Sequence, residues 1–417
     1  MRPVTFFRAL AFTALGSFLL IGVFNWWHDP AAQRPNHHTF KSNCTPGIRV
    51  DTTNVLIDRI RRNMPDVILA GSSRVGVGHV TADMPTDSML LVEAAANLNR
   101  ISRLIDVATK DYTPQLIILG LGLGDSLVHT INHPRIERSS GSDVKRWLKG
   151  YWSPSATLAS LRMLTTAYHC STPRLDLDGH WPNAQFERAA RLQGPSKAVE
   201  AHMRYYIDRY LSTRRYASTD STAALRRIAA RACSRGTRLI AVFQPVHASM
   251  LEIIRQTGSW NDMETNLRGA VHEVAGLATT GCYVELWDFT GYSAETTQAF
   301  PEHESLNGTS LFWDPSHYKP ALGKQVMASV LGQGARGLGL GIQLNESNIH
   351  AHLLNLRQAR DLYAAARSKE VIAIEAMINA KRRKRPLSEH KIRENNQKMR
   401  RRRRNTISTS KFELEKV

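Results

Sequence analysis

From Ala9 to Trp27 the chain carries no charged residue (ALAFTALGSFLLIGVFNWW), and no other feature constrains its fold as strongly. As an α-helix this stretch rises about 28 Å, close to the hydrocarbon thickness of a bilayer. Trp26 and Trp27 fall where an aromatic belt sits, and Asp29-Pro30 follow directly. Arg2 and Arg8 precede the stretch, and no Lys or Arg follows it until Arg34. The positive-inside rule therefore puts the N-terminus in the cytoplasm and the bulk of the chain on the other side. A cleaved signal peptide is the alternative; no small-x-small cleavage site follows the apolar run, which favours a signal anchor.

The rest of the 417 residues can bury a substantial core, and a hydrophobic fraction of 42% excludes both a polytopic membrane protein and a disordered chain. The net charge of +19 suggests a nucleic-acid binder until it is located. Residues 381–417 hold 15 Lys and Arg against 4 Asp and Glu, including the runs Lys381 to Arg385 and Arg400 to Arg404. Such a block repels itself, buries little and is expected to be a disordered tail. It is either a solvated tail or an attractor of polyanions, and no specific nucleic-acid partner is expected. Cys44, Cys170, Cys233 and Cys282 lack metal-site spacing. Cys233 and Cys282 each precede a predicted core strand, so they are either a disulfide pair or free buried thiols.

Four short apolar runs read as buried parallel strands: Val67 to Ala70, Leu116 to Leu121, Arg238 to Phe243 and Tyr283 to Trp287. Helical patterns lie between them at Ala96 to Thr109, Thr222 to Ser234 and Trp260 to Leu277. The alternation predicts an α/β fold, a parallel sheet flanked by helices in three layers. The expected organisation is a cytoplasmic stub and anchor over 1–30, a membrane-proximal linker over 31–64 and the α/β domain over 65–332. An insertion interrupts the domain at about 139–216. A Gly-rich hinge and a helical segment over 333–380 then lead to the basic tail.

In open α/β sheets, sites form beyond the carboxyl ends of the strands. The first strand ends in Gly71-Ser72-Ser73-Arg74, where a serine at a strand-to-helix turn is exposed beside backbone amides. Near the other end, Asp314-Pro315-Ser316-His317 precedes an apparent last helix, Lys319 to Leu331. Three-residue spacing lets the carboxylate orient the imidazole, which as a general base makes a hydroxyl nucleophilic. Read separately, the first block is an ordinary Gly-Ser turn and the second a helix cap beside a surface histidine.

Together the two blocks resemble the SGNH/GDSL hydrolase superfamily over roughly Pro65 to Gly332, in particular its membrane-anchored bacterial branch related to O-acylation of cell-surface polymers. Gly71-Ser72-Ser73-Arg74 is similar to the form in which Ser replaces the Asp of Gly-Asp-Ser. Phe312 to Tyr318 resembles the block with Asp-x-x-His. Pro245-Val246-His247, Leu286 to Tyr292 and Leu175 to Gly179 are further points of likeness.

The resemblance implies a flavodoxin-like, SGNH-type sheet, with Ser73 as nucleophile, His317 as base and Asp314 as its orienting acid. No cofactor and no metal are implied. The superfamily's oxyanion donors include a Gly in its second block and an Asn in its third. Here Glu93 to Arg100 offers Asn97 and Asn99 but no Gly, and the third strand ends in Gly120-Leu121-Gly122-Leu123-Gly124-Asp125 without an Asn. The amides of that turn, Gly122 among them, are the substitutes on offer, with Asp125 as a further polar group; Arg74 is a candidate substrate-binding residue, and His247, after a strand end, either lines the site or is a satisfied structural histidine. Losing one oxyanion donor costs about 10²- to 10³-fold in rate.

The glycine spacing at 120, 122 and 124 lacks the third Gly of a dinucleotide fingerprint, since position 125 is Asp. His37-His38 and His129 with His133 lack an accompanying acidic ligand at metal-site spacing. Asp288 reads as a site residue or a turn cap.

Two function classes result. One, as the resemblance implies, is a serine esterase or O-acyltransferase of the bacterial inner membrane, crossing it once, facing the periplasm and acting on an acylated glycan, with a membrane acyltransferase as its expected partner. The other is an inactive scaffold of the same fold.

Overall fold

The computed structural model describes residues 3–28, 52–84, 87–123, 148, 151–166, 179–181, 183–212, 219–278, 280–301, 310–332 and 340–383. Cys44, Cys170, Asp125, the four histidines at 37, 38, 129 and 133, Leu175 to Asp178, most of the hinge and the basic tail from 384 lie outside them.

The apolar stretch forms one helix, α1 (Pro3–His28), long and apolar enough to cross a membrane and largely unburied by the rest of the chain. The α/β domain follows. Its strands are β1 (Val67–Gly71), β2 (Ser88–Val92), β3 (Leu116–Leu121), β4 (Arg238–Phe243), β5 (Val284–Asp288) and β6 (Ile342–Gln343), in spatial order 2-1-3-4-5-6. The first five are parallel and β6 is antiparallel to β5. Strands β1 and β3 are buried along their whole length, as expected where both faces of a parallel sheet are covered. The order 2-1-3-4-5 is flavodoxin-like and reverses direction at β1, which marks the crevice above β1 and β3 as the place for a ligand.

Helices α2 (Thr52–Asn63), α4 (Leu98–Ala108), α8 (Thr219–Ser234) and α10 (Trp260–Ala278) pack side by side as one layer. On α4 the buried residues Ile101, Leu104, Ile105 and Ala108 recur at helical spacing. The short α3 (Ser73–Gly78) packs on α11 (Pro320–Val330), and α7 (Pro195–Ser212) on α9 (Ala248–Gln256). Within the insertion, α5 (Pro154–Thr166) and α6 (Ala184–Gln193) complete the described helices before α7. Cys233 and Cys282 form a disulfide, spanning 49 residues, that ties the end of α8 to the start of β5.

The α/β fold does not end at Gly332. Strand β6 extends the sheet, and α12 (Ile349–Ala366) with α13 (368–383) buries Leu353, Leu356, Tyr363, Ile374 and Ile378 on the domain. Charge holds α12 in place. Arg360 donates to both oxygens of the fully buried Glu252 at 3.0 Å each, Arg357 clasps Glu264, and His352 Nε2 lies 2.7 Å from Asp288. Asp288 also accepts from the Thr290 amide at 2.8 Å, so it caps a turn and anchors α12.

Candidate active site

Ser73 opens α3 directly after β1, at the sheet's carboxyl edge. His317 reaches it from a closed loop. Asp314 Oδ1 accepts from the amides of Ser316 (2.7 Å) and His317 (2.9 Å), and the Trp313 amide donates to the His317 carbonyl at 2.8 Å. A bridge between Phe312 and Tyr318 closes the base of this loop. An aspartate two residues before a backbone N–H favours this turn intrinsically, so the local sequence shapes the loop.

The three side chains form a relay. His317 Nδ1 lies 2.7 Å from Asp314 Oδ2, and His317 Nε2 lies 2.9 Å from Ser73 Oγ. An ionised carboxylate can only accept, so Nδ1 carries the proton and Nε2 accepts from the serine hydroxyl. Burial pushes the fully enclosed Asp314 carboxyl up. Its ion pair and hydrogen bond with His317, the charge of His202 and the Ser316 amide more than offset this and hold it below the usual value. The acid therefore stays charged beside an imidazole that gains a proton.

A cavity of about 310 Å³ opens over Ser73 and His317. Ser72, Arg74, Ala94 and Ala95 line it from the sheet edge; His202, Tyr205, Tyr206, Arg209 and Tyr210 line it from α7. Ala95 adopts a left-handed φ of 54° in the turn after β2. Arg74 Nε donates to Ser316 Oγ at 2.7 Å, linking α3 to the histidine loop. His202 Nε2 is 3.6 Å from Asp314 Oδ2, and its Nδ1 donates to the Ala198 carbonyl at 2.9 Å. Phe186 of α6 packs on His317 with ring centres 5.1 Å apart and walls off one side of the imidazole.

The other predicted residues stand elsewhere. Asn97 caps α4 by accepting from the Arg100 amide at 2.9 Å, and the Asn99 side chain accepts from Arg227. Neither these two nor Gly122 lines the cavity. His247 is a buried structural residue that caps α9. Its Nε2 faces the Gln298 carbonyl at 2.7 Å, and its amide donates to the Pro315 carbonyl at 3.0 Å. It supports the histidine loop from behind without reaching the cavity.

The α7 residues escaped the sequence reading because they lie in the irregular insertion. Their signal was present: His202, Tyr206, Arg209 and Tyr210 recur at helical spacing and give one face a polar, aromatic character.

Comparison of the chain with family models, curated proteins and solved structures finds no match. The functional reading therefore stands on the site's own geometry.

Proposed function

We propose that the protein is a membrane-anchored serine esterase or O-acyltransferase of SGNH type, acting on an acylated envelope polysaccharide or related glycan. The observation that carries this reading is the relay Ser73–His317–Asp314, with contacts of 2.9 and 2.7 Å under an open cavity. Ser73 Oγ attacks the ester carbonyl while His317 Nε2 takes its proton. His317 then returns the proton to the leaving alkoxide, and the acyl group remains on Ser73. Water as the second nucleophile completes hydrolysis; a sugar hydroxyl completes acyl transfer. Asp314 keeps the Nδ1 tautomer and stabilises the imidazolium. The Ser73 amide, in the first turn of α3, helps to bind the oxyanion. Tyr205, Tyr206 and Tyr210 with Arg74 and Arg209 suit a hydroxyl-rich substrate bearing acidic groups.

In this reading α1 spans the inner membrane of a bacterium with the N-terminus in the cytoplasm and the domain in the periplasm. Arg2 and Arg8 support that orientation, as does the Cys233–Cys282 disulfide, which persists in oxidising compartments. A membrane acyltransferase supplying activated acyl groups is the partner such a transferase would need.

The engagement of Asn97 and Asn99 outside the cavity favours one second reading, a non-catalytic scaffold of the same fold. Hydrolysis of a short-chain aryl acetate by the full-length protein in detergent separates the two. Under the enzyme reading, Ser73→Ala lowers turnover by at least about 10³-fold. Equal background rates in both proteins would leave the scaffold.

A further inference from the structure

Helix α5 of the insertion packs against α1, outside the α/β sheet. The contact is polar where α1 is otherwise apolar. Asn25 of α1 is completely buried; its Nδ2 donates to the Tyr151 carbonyl at 2.7 Å and to Thr157 Oγ1 at 2.9 Å. An amide inside a membrane helix is costly unless another segment satisfies it at the same depth; here the segment around α5 takes both Nδ2 donors, while Oδ1 has no hydrogen-bond partner among the described residues. Seven residues earlier, Trp152 Nε1 donates to the Phe18 carbonyl at 3.0 Å and its ring stacks on Phe18 at 5.8 Å. Gly22 makes room for that ring, since a Cβ there would stand 2.2 Å from it. Phe18 lies nine residues before Trp27, about 14 Å along the helix, roughly half the ~30 Å hydrocarbon core.

The two faces of α5 differ. Small residues, Ala156, Ala159 and Ser160, are buried, as is usual where membrane helices meet. Leu158, Leu161 and Leu164, spaced three apart, are each 49% exposed. The neighbouring helix α1 exposes Phe12, Leu19, Leu20 and Val23 among others. Most of the large apolar side chains that the described residues leave exposed lie on these two helices.

We propose that α5, with the Tyr151-Trp152 pair before it, is a second membrane-embedded element that enters the leaflet on the domain's side and lays Leu158, Leu161 and Leu164 against lipid acyl chains. This rests on the reading of α1 as a transmembrane helix. Lipid is the occupant because Asn25 and Phe18 tie Thr157 and the Tyr151-Trp152 pair to a helix that this reading places in the bilayer, so the apolar side chains exposed on α5 share that helix's surroundings.

A photoreactive diazirine amino acid placed at Leu161 of the full-length protein, reconstituted in phosphatidylethanolamine–phosphatidylglycerol vesicles, tests the proposal. The same probe at Leu20 of α1 reports the anchor, and at Leu192 of α6, an exposed residue of the soluble domain, the background. Lipid-mass adducts at Leu20 and Leu161, and none at Leu192, are expected. Adducts at Leu20 with background at Leu161 would overturn the proposal and leave the anchor standing. Background at both would remove the anchor and the proposal with it. A polypeptide adduct at Leu161 would show a protein partner on the stripe and also overturn the proposal.

Discussion

At the residue scale, the proposed chemistry rests on one proton's position. Asp314 is fully buried, is held ionised and faces His317 Nδ1, so the neutral ring has its Nε2 lone pair turned to Ser73. Asp314→Asn keeps the shape but no longer enforces that tautomer, and is expected to lower kcat/KM on an aryl acetate by about 10³- to 10⁴-fold. A loss below about tenfold would contradict the role given to the carboxylate. The sequence placed Ser73 at a strand-to-helix turn and Asp314 three residues before His317, but each block alone reads as an ordinary turn or cap; only the resemblance paired them, and the structure brings the three side chains together. Asn97 and Asn99 were read as oxyanion candidates, but Asn97 caps its own helix and Asn99 meets Arg227, a partner that only tertiary packing supplies; of the two readings of His247, the structural one matches its burial and contacts.

At the scale of elements, the relay joins β1–α3 to a loop 244 residues later, and its geometry depends on how closely α3 meets α11. The seam admits no side chain. A Cβ on Gly323 would stand 1.7 Å from the Gly78 carbonyl oxygen, and one on Gly78 would stand 2.0 Å from the Tyr318 ring. A backbone oxygen cannot swing away as a flexible side chain can, so Gly323→Ala has to move α11 and the loop before it. A displacement of about 1 Å misaligns a base by enough to cost on the order of 10²-fold in turnover. Aryl acetate hydrolysis checks this, and unchanged activity in a folded Gly323→Ala protein would contradict the coupling. Strands β1, β3, β4 and β5 were readable as short apolar runs bounded by turn residues. Strand β2, Ser88-Met-Leu-Leu-Val, was missed because, unlike the other runs, its centre is Met and Leu, which carry no β preference. Strand β6 has two residues, too few for any periodicity, so the domain was read as ending before it.

At the scale of the whole molecule, two enclosed histidines tie stability to pH. Burial pushes both His79 and His247 down to about 4. His79 sits under the site, with Tyr318 Oη 2.8 Å from its Nε2, and His247 braces the histidine loop. An unfolded imidazole titrates near ~6.5, so between that value and 4 the unfolded chain binds protons that the folded chain refuses. Stability is therefore complete above the upper value and falls as pH drops toward the lower one, by roughly 3 kcal/mol for each histidine. Thermal midpoints across that window should fall with pH, and His79→Gln should make the slope shallower; an unchanged slope would contradict the assignment. The long apolar helix α1 was the most legible large-scale feature, since hydrophobic length alone marks it. The packing of α12 on the domain was not, because its ion pairs join residues such as Glu252 and Arg360 that lie far apart in sequence. The central claim, that Ser73 is an activated nucleophile, is tested most directly by treating the full-length protein with a fluorophosphonate probe and locating the adduct by mass spectrometry. The predicted result is a single adduct on Ser73 that disappears in His317→Ala; an unlabelled Ser73, or labelling that persists without His317, would contradict it.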